Sequence, residues 1–290
     1  MSYLDEQGDK ETLNQCALVC RSWVSFSRQY TFPTLTISLW KSGAHRLRLY
    51  GLLDHPLCTF APLVRTLRID ADSNDRYGAY VGWLDPLVPC LPKLTAVKYL
   101  HCTPITEWHS KGAWNALLKT SSFTAQILDL TLENVSFESI EEFVNTIQSF
   151  PLLVHLRFQG HHHAVTRNTW GSSLPSLPFW KPLPNLHSLE IGQSFLPWSR
   201  LVWQWLRLSQ TRPPVLILDA VTLNDFIILH QIDRHHEVFR HGEQFRSLES
   251  FSQYLQFLGP SLEVLKINFQ FSHPDSRHGN LGIRMWPIIL

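Results

Sequence analysis

The sequence predicts an α/β fold, a solenoid of parallel strands and helices, and three observations carry that expectation. The spacing apolar-x-x-apolar-x-apolar recurs at Val64/Leu67/Ile69, Leu94/Val97/Tyr99, Ile127/Leu130/Leu132, Leu153/Leu156/Phe158, Leu186/Leu189/Ile191 and Leu262/Leu265/Ile267, with Val215/Leu218/Ala220 as a weaker member. Successive starts lie 30, 33, 26, 33, 29 and 47 residues apart, the range of repeat architectures joined by connections of unequal length. Within 126–158 the apolar period changes. It is two at Leu128, Leu130 and Leu132, as in a half-buried strand. It then becomes three to four at Phe137, Ile140, Phe143, Val144, Ile147 and Phe150, one face of a helix. Ser136 is the expected cap of that helix, with Val135 and Ile140 as its hydrophobic staple, and Pro151 ends it before the next strand. A strand, helix and strand in so few residues cannot cover their own apolar face, so the unit needs neighbours of its own kind.

The triplets resemble the leucine-rich repeat in a loose form. Asn134 alone stands near the place of the asparagine ladder of the consensus. A non-repetitive α/β domain with similar buried strands is the other reading of the same pattern. Taken in order, the chain opens on polar residues 1–10. A helix is then expected over 12–26, where Leu13, Cys16, Ala17, Val19, Cys20, Trp23, Val24 and Phe26 cover about half the circumference, with Leu18 beyond. A single core needs a stripe little over 100° wide, so the wider arc predicts a second contact.

The string CALVCRSW from Cys16 to Trp23, then Ser27-Arg28 and FPTLTI, resembles the second half of an F-box, as in the F-box-like proteins of mushroom-forming fungi. SFPLLVHLRF and LGPSLEVLKI are similar in layout to the repeat regions of such proteins. The resemblance implies a substrate receptor. Its N-terminal helix, through Leu18, Val19, Arg21, Trp23 and Phe26, would dock on the Skp-type adaptor of a cullin ubiquitin ligase, and the repeats would hold a protein substrate of unknown identity. The family's opening Leu-Pro-x-Glu segment has no counterpart. The chain begins with YLDEQ where the first F-box helix would end, so an F-box remnant truncated at its N-terminus is expected. Cys16, Cys20 and Trp23 also fit ordinary core packing.

The expected domains are a partial F-box-like helical segment at 1–39, a connector at 40–62 with Gly43, Gly51 and Pro56, and a leucine-rich-repeat-like solenoid over 63–290 lacking a C-terminal cap. The run 70–78 superficially suggests a calcium loop. Asp75 stands where the turn needs glycine and Val81 where a bidentate glutamate belongs, so it is read as a solvated loop. His161–His163, and later His235, His236 and His241, lack the spacing of a dedicated metal site. Residues 171–184 form a long proline- and serine-rich loop. In the following helix Trp198, Leu201, Val202, Trp205 and Leu206 share a face and Trp203 lies off it. Trp203 is thus the tryptophan expected at the surface, and Trp180, Trp203 and Arg207 are the candidate partner contacts, with packing between repeats as the alternative. Phe245, Leu248, Phe251, Tyr254, Leu255 and Leu258 predict the last amphipathic helix, closed by Gly259-Pro260.

A formal net charge of +1 gives no bulk attraction to nucleic acid or an anionic membrane, and neither is an expected partner. No apolar run reaches the length of a membrane span. Five cysteines, odd in number and without a C-x-x-C pair, fit reduced thiols of the cytoplasm or nucleus. No phosphate loop, nucleophile elbow, zinc helix or dinucleotide fingerprint occurs, so no catalytic residue, metal or cofactor is expected. The function expected is a non-catalytic protein-interaction module. A repeat scaffold that has lost ligase docking and binds only another protein is the alternative.

Overall fold

The computed structural model describes residues 28, 30, 32–38, 43–70, 86–103, 116–133, 135, 137, 139–159, 181–192, 199–222 and 249–270. The chain is α/β, with eight strands in one sheet whose order follows the sequence from first to last. Every pairing whose register is described is parallel. Parallel neighbours cannot be joined by a tight turn, so each connection leaves the sheet and returns. Two compact units divide the chain at 130/131 and are taken in turn.

In the first unit, β1 (Thr34–Ser38), β2 (Thr66–Asp70) and β3 (Tyr99–Cys102) place Leu35, Leu67 and Leu100 side by side, and likewise Ile37, Ile69 and Cys102. These two columns face the core, because strand side chains alternate between faces. The first column sets the register of a triplet read differently from sequence. Leu94/Val97/Tyr99 is out of step: Leu100 and Cys102 are the buried pair of that strand, and Tyr99 points outward at 49% exposure. Phe32/Leu35/Ile37 is a further rung outside the sequence triplets, so residues 34–38 belong to the sheet and not to a helical N-terminal segment. The expected connector also contains a helix, α1 (Gly43–Asp54), which buries Tyr50 and Leu53. Lys93 closes its C-terminus, with Nζ donating to the Asp54 carbonyl and to Asp54 Oδ1, both at 2.7 Å. A cation there complements the helix dipole. The same bond and charge from Lys93 hold the Asp54 carboxyl below its ordinary range. A short helix, α2 (Ser121–Thr124), buries Phe123 ahead of β4 (Asp129–Glu133).

In the second unit, β5 (His155–Gln159), β6 (Ser188–Gly192), β7 (Val215–Thr222) and β8 (Val264–Gln270) align Leu156, Leu189, Leu216 and Leu265. Phe158, Ile191, Leu218 and Ile267 form the second column. The weak sequence triplet Val215/Leu218/Ala220 is two residues late, since Leu216 and Leu218 are the fully buried pair aligned with Leu189 and Ile191. This unit also contains α3 (Ile140–Gln148), which meets β5 through Phe143 and Phe158, α4 (Ser199–Leu208) and α5, residues 249–258. The cap of α3 is Ser139 rather than Ser136: its hydroxyl accepts from Glu142 N at 3.1 Å, and Ser139 to Glu142 has the spacing of a capping box. Phe137 lies before the helix and meets Phe143 edge-on at 5.3 Å. Phe143 in turn touches Phe158 and Trp205, so one ring joins α3, β5 and α4. The expected stop of α5 is present: Gly259 has φ +48°, a left-handed conformation that favours glycine.

One backbone contact recurs at six of the described strand entries. The carbonyl two residues before the column leucine accepts from the next rung: Pro33, Arg65 and Lys98 in the first unit, Val154, His187 and Pro214 in the second. Two side-chain amides four residues before that leucine also reach the preceding rung, Gln126 to Leu94 O and Asn185 to Pro151 O. The layers thus share backbone geometry as well as an apolar pattern.

Candidate functional site

The same alternation that buries the leucine columns turns the intervening residues to the other face of the sheet. In the first unit that face carries Thr34, Thr36, Thr66, Arg68, Tyr99 and His101. At its end Thr103 Oγ1 donates to Asp70 Oδ1 at 2.5 Å, tying the ends of adjacent rungs together. In the second unit the outward positions of β5 to β8 are His155, Arg157, Gln159, Ser188, Glu190, Val215, Ile217, Val264 and Lys266.

The most organised part of this face centres on Glu190. Its carboxylate receives Arg157 Nε at 2.8 Å and Nη2 at 2.7 Å on Oε2, and Gln159 Nε2 at 2.9 Å on Oε1. The Glu190 side chain is only 11% exposed, whereas that of Arg157 is 49% exposed. A nearly buried carboxylate therefore fixes the orientation of a half-exposed guanidinium, and charge-assisted bonds of this length are the stronger kind. Beside it, His155 and His187 meet edge-on with ring centroids 6.1 Å apart. The next strand must come close here. A Cβ on Gly192 would lie 3.2 Å from Phe158 O and 3.3 Å from Gln159 Cα, so the outward end of β6 accepts a larger residue only if the backbone of β5 yields by a few tenths of an ångström.

Of the candidate site residues expected from sequence, Trp203 and Arg207 are described, and both lie on α4. Leu18, Val19, Arg21, Trp23, Phe26 and Trp180 lie outside the described residues, as do the histidine runs and the calcium-like loop apart from Asp70. Trp203 is described, and its expected exposure is overturned: it is fully buried. Its ring lies 5.0 Å from Phe251 and 5.6 Å from Tyr254, stacked on the latter. The physical reason is that α4 has a neighbouring helix on each flank. Trp205 meets α3 through Phe143, and Trp203 meets α5. A side chain off the sheet-facing stripe is then covered by the adjoining helix. Arg207 is half-buried and its Nη1 donates to Gln253 Oε1 at 2.5 Å, linking α4 to α5.

Arg157, Glu190 and Gln159 were not singled out from sequence, although a signal for them exists. They occupy or flank the x of the Leu-x-apolar core of two triplets, the position that alternation sends outward. Composition drew attention to tryptophans instead. No helix among the described residues is long and apolar enough to cross a membrane. Among those residues no three metal-binding side chains are grouped to hold an ion. Burial raises the Cys102 thiol well above its ordinary range and raises that of Cys90 too, which makes both poor nucleophiles. What the described face offers is a set of oriented polar groups. No protein-family model and no curated protein matches the chain.

Proposed function

We propose that the chain is a non-catalytic protein-interaction module, a leucine-rich-repeat-like solenoid whose open sheet face holds a protein target. In this reading the N-terminal segment is F-box-like and docks on the Skp-type adaptor of a cullin ubiquitin ligase through Leu18, Val19, Arg21, Trp23 and Phe26. The protein is then the substrate receptor of that ligase, acting in the cytoplasm or nucleus, with Trp180 and Arg207 as further partner contacts. The observation that carries the solenoid reading is the recurrence, layer after layer, of one in-register leucine and one carbonyl contact two residues before it. Stacked units of that kind leave an extended sheet face free for a partner.

The experiment is co-expression of the chain with the Skp-type adaptor, followed by purification through a tag on the adaptor. Stoichiometric recovery is expected, and Trp23→Ala is expected to reduce it with the melting temperature little changed. Equal losses of recovery and stability would make Trp23 a core residue. Absence of recovery with the wild-type chain would remove the ligase role and leave the repeat scaffold that binds only another protein.

A further inference from the structure

We infer that the outward face of β5 to β8 is a docking site for an extended acidic protein segment of the pattern acidic-x-apolar-x-acidic. This deepens the interaction-module reading and rests on it. Arg157, Glu190, Ile217 and Lys266 stand in one cross-strand row, each the register partner of the next. Strands lie about 4.8 Å apart, so Arg157 and Lys266 are separated by about 14 Å. An extended chain rises about 3.4 Å per residue, and its alternate side chains share a face, so residues four apart match that separation and point the same way. The residue between them falls over the interval between Glu190 and Ile217.

Charge and polarity along the row specify the occupant. Glu190 is committed to Arg157 and Gln159, so it contributes no free anion. Counting Glu190 against Arg157, the outward side chains described on these four strands carry one net positive charge, that of Lys266. The guanidinium of Arg157 still has N–H groups beyond those given to Glu190, and it is held in place, which favours planar recognition of a carboxylate. Lys266 has no ion-pair partner among the described residues and marks the other end. Between them half-buried Ile217 is the apolar member of the row, and Val215 and Val264, also half-buried, continue the apolar surface in the adjoining row. Two cations flanking an apolar surface are complementary to two carboxylates flanking an apolar residue. A basic or uniformly polar segment would leave that surface or the cations unmatched.

The test is fluorescence anisotropy of the full chain with a labelled peptide containing Glu-Ala-Leu-Ala-Glu between glycine-serine flanks. The expected result is saturable binding that weakens as salt rises. Arg157→Gln and Lys266→Gln should each weaken it roughly tenfold, the loss of one charge-assisted contact. The peptide with both glutamates changed to glutamine should lose more. Lys266→Glu should shift preference to the peptide ending in lysine, a gain that a merely unfolded variant could not give. Absence of binding up to millimolar peptide, indifference to the glutamates, or binding of a single-stranded RNA oligomer in place of the peptide would overturn the inference. Adaptor recovery is measured independently, so a negative peptide result beside a positive adaptor result sinks this site and leaves the module reading standing.

Discussion

Replacing Trp203 tests whether α4 is enclosed by the helices on its flanks. Trp203→Ala removes a fully buried indole together with its contacts to Phe251 and Tyr254. Large-to-small changes of this kind cost roughly 3–5 kcal/mol. The indole Nε1 has no hydrogen-bond partner among the described residues, and an unmet buried donor is itself unfavourable by about 1–3 kcal/mol. Removing that donor offsets part of the cavity term, so the net loss is about 2–4 kcal/mol. At roughly 2–4 °C per kcal/mol for a chain of this size, melting should fall by about 4–16 °C. Trp203→Phe keeps one ring and deletes the donor, so its stability should stay within about 1 kcal/mol of wild type. Both are read by thermal and urea unfolding followed by circular dichroism. If Trp203→Ala melts within about 2 °C of wild type yet loses partner binding, the side chain is a surface contact and the enclosure of α4 is wrong.

Four further outcomes are expected. Gly192→Ala should lower stability by about 1–3 kcal/mol, since the added Cβ meets backbone atoms and not a movable side chain; unchanged urea unfolding would mean that the strands move apart freely. Ser139→Ala should cost about 1 kcal/mol through loss of the cap on α3, and Ser136→Ala much less, a contrast that equilibrium unfolding can measure. Tyr254 is buried with its hydroxyl donating to Thr211 O at 3.1 Å, and burial raises its ionisation well above 10. The folded state then holds a proton that the unfolded state releases, so this contribution is complete below pH 10 and lost as pH rises above it. Tyr254→Phe should flatten that alkaline decline. In native protein, a thiol reagent followed by peptide mapping should label half-exposed Cys58 well before buried Cys90 and Cys102; equal rates would contradict their enclosure.

The leucine triplets made the α/β layering legible, because a buried strand must alternate and each thin layer must repeat. Register was less legible. Leu94-x-x-Val97-x-Tyr99 and Val97-x-x-Leu100-x-Cys102 both satisfy the spacing, and only the pairing of Leu67 with Leu100 distinguishes them. Leu218 took the column position of Leu216 in the same way. Helix α1 was hidden because Leu47 and Leu52 are exposed while Tyr50 and Leu53 are buried, so its leucines do not form one stripe. Trp203 misled because a helix enclosed on both flanks has two apolar faces, and a single-stripe reading assigns the second to solvent. The candidate face was within reach of the sequence through Arg157 and Glu190. Their bond to each other was not, since it depends on His155 standing beside Ser188 across a connection of unpredictable path.

The strand pairing also bears on how such a chain can change. Leu189 and Leu216 are 27 residues apart, Leu216 and Leu265 are 49 apart, and both pairs sit in the same parallel alignment. Chain length between layers is therefore decoupled from alignment. Closing a longer excursion costs only about 0.6 kcal/mol per doubling. Insertions and deletions in those excursions are a nearly neutral source of variation, so descendants of this protein can acquire new edges around an unaltered stack.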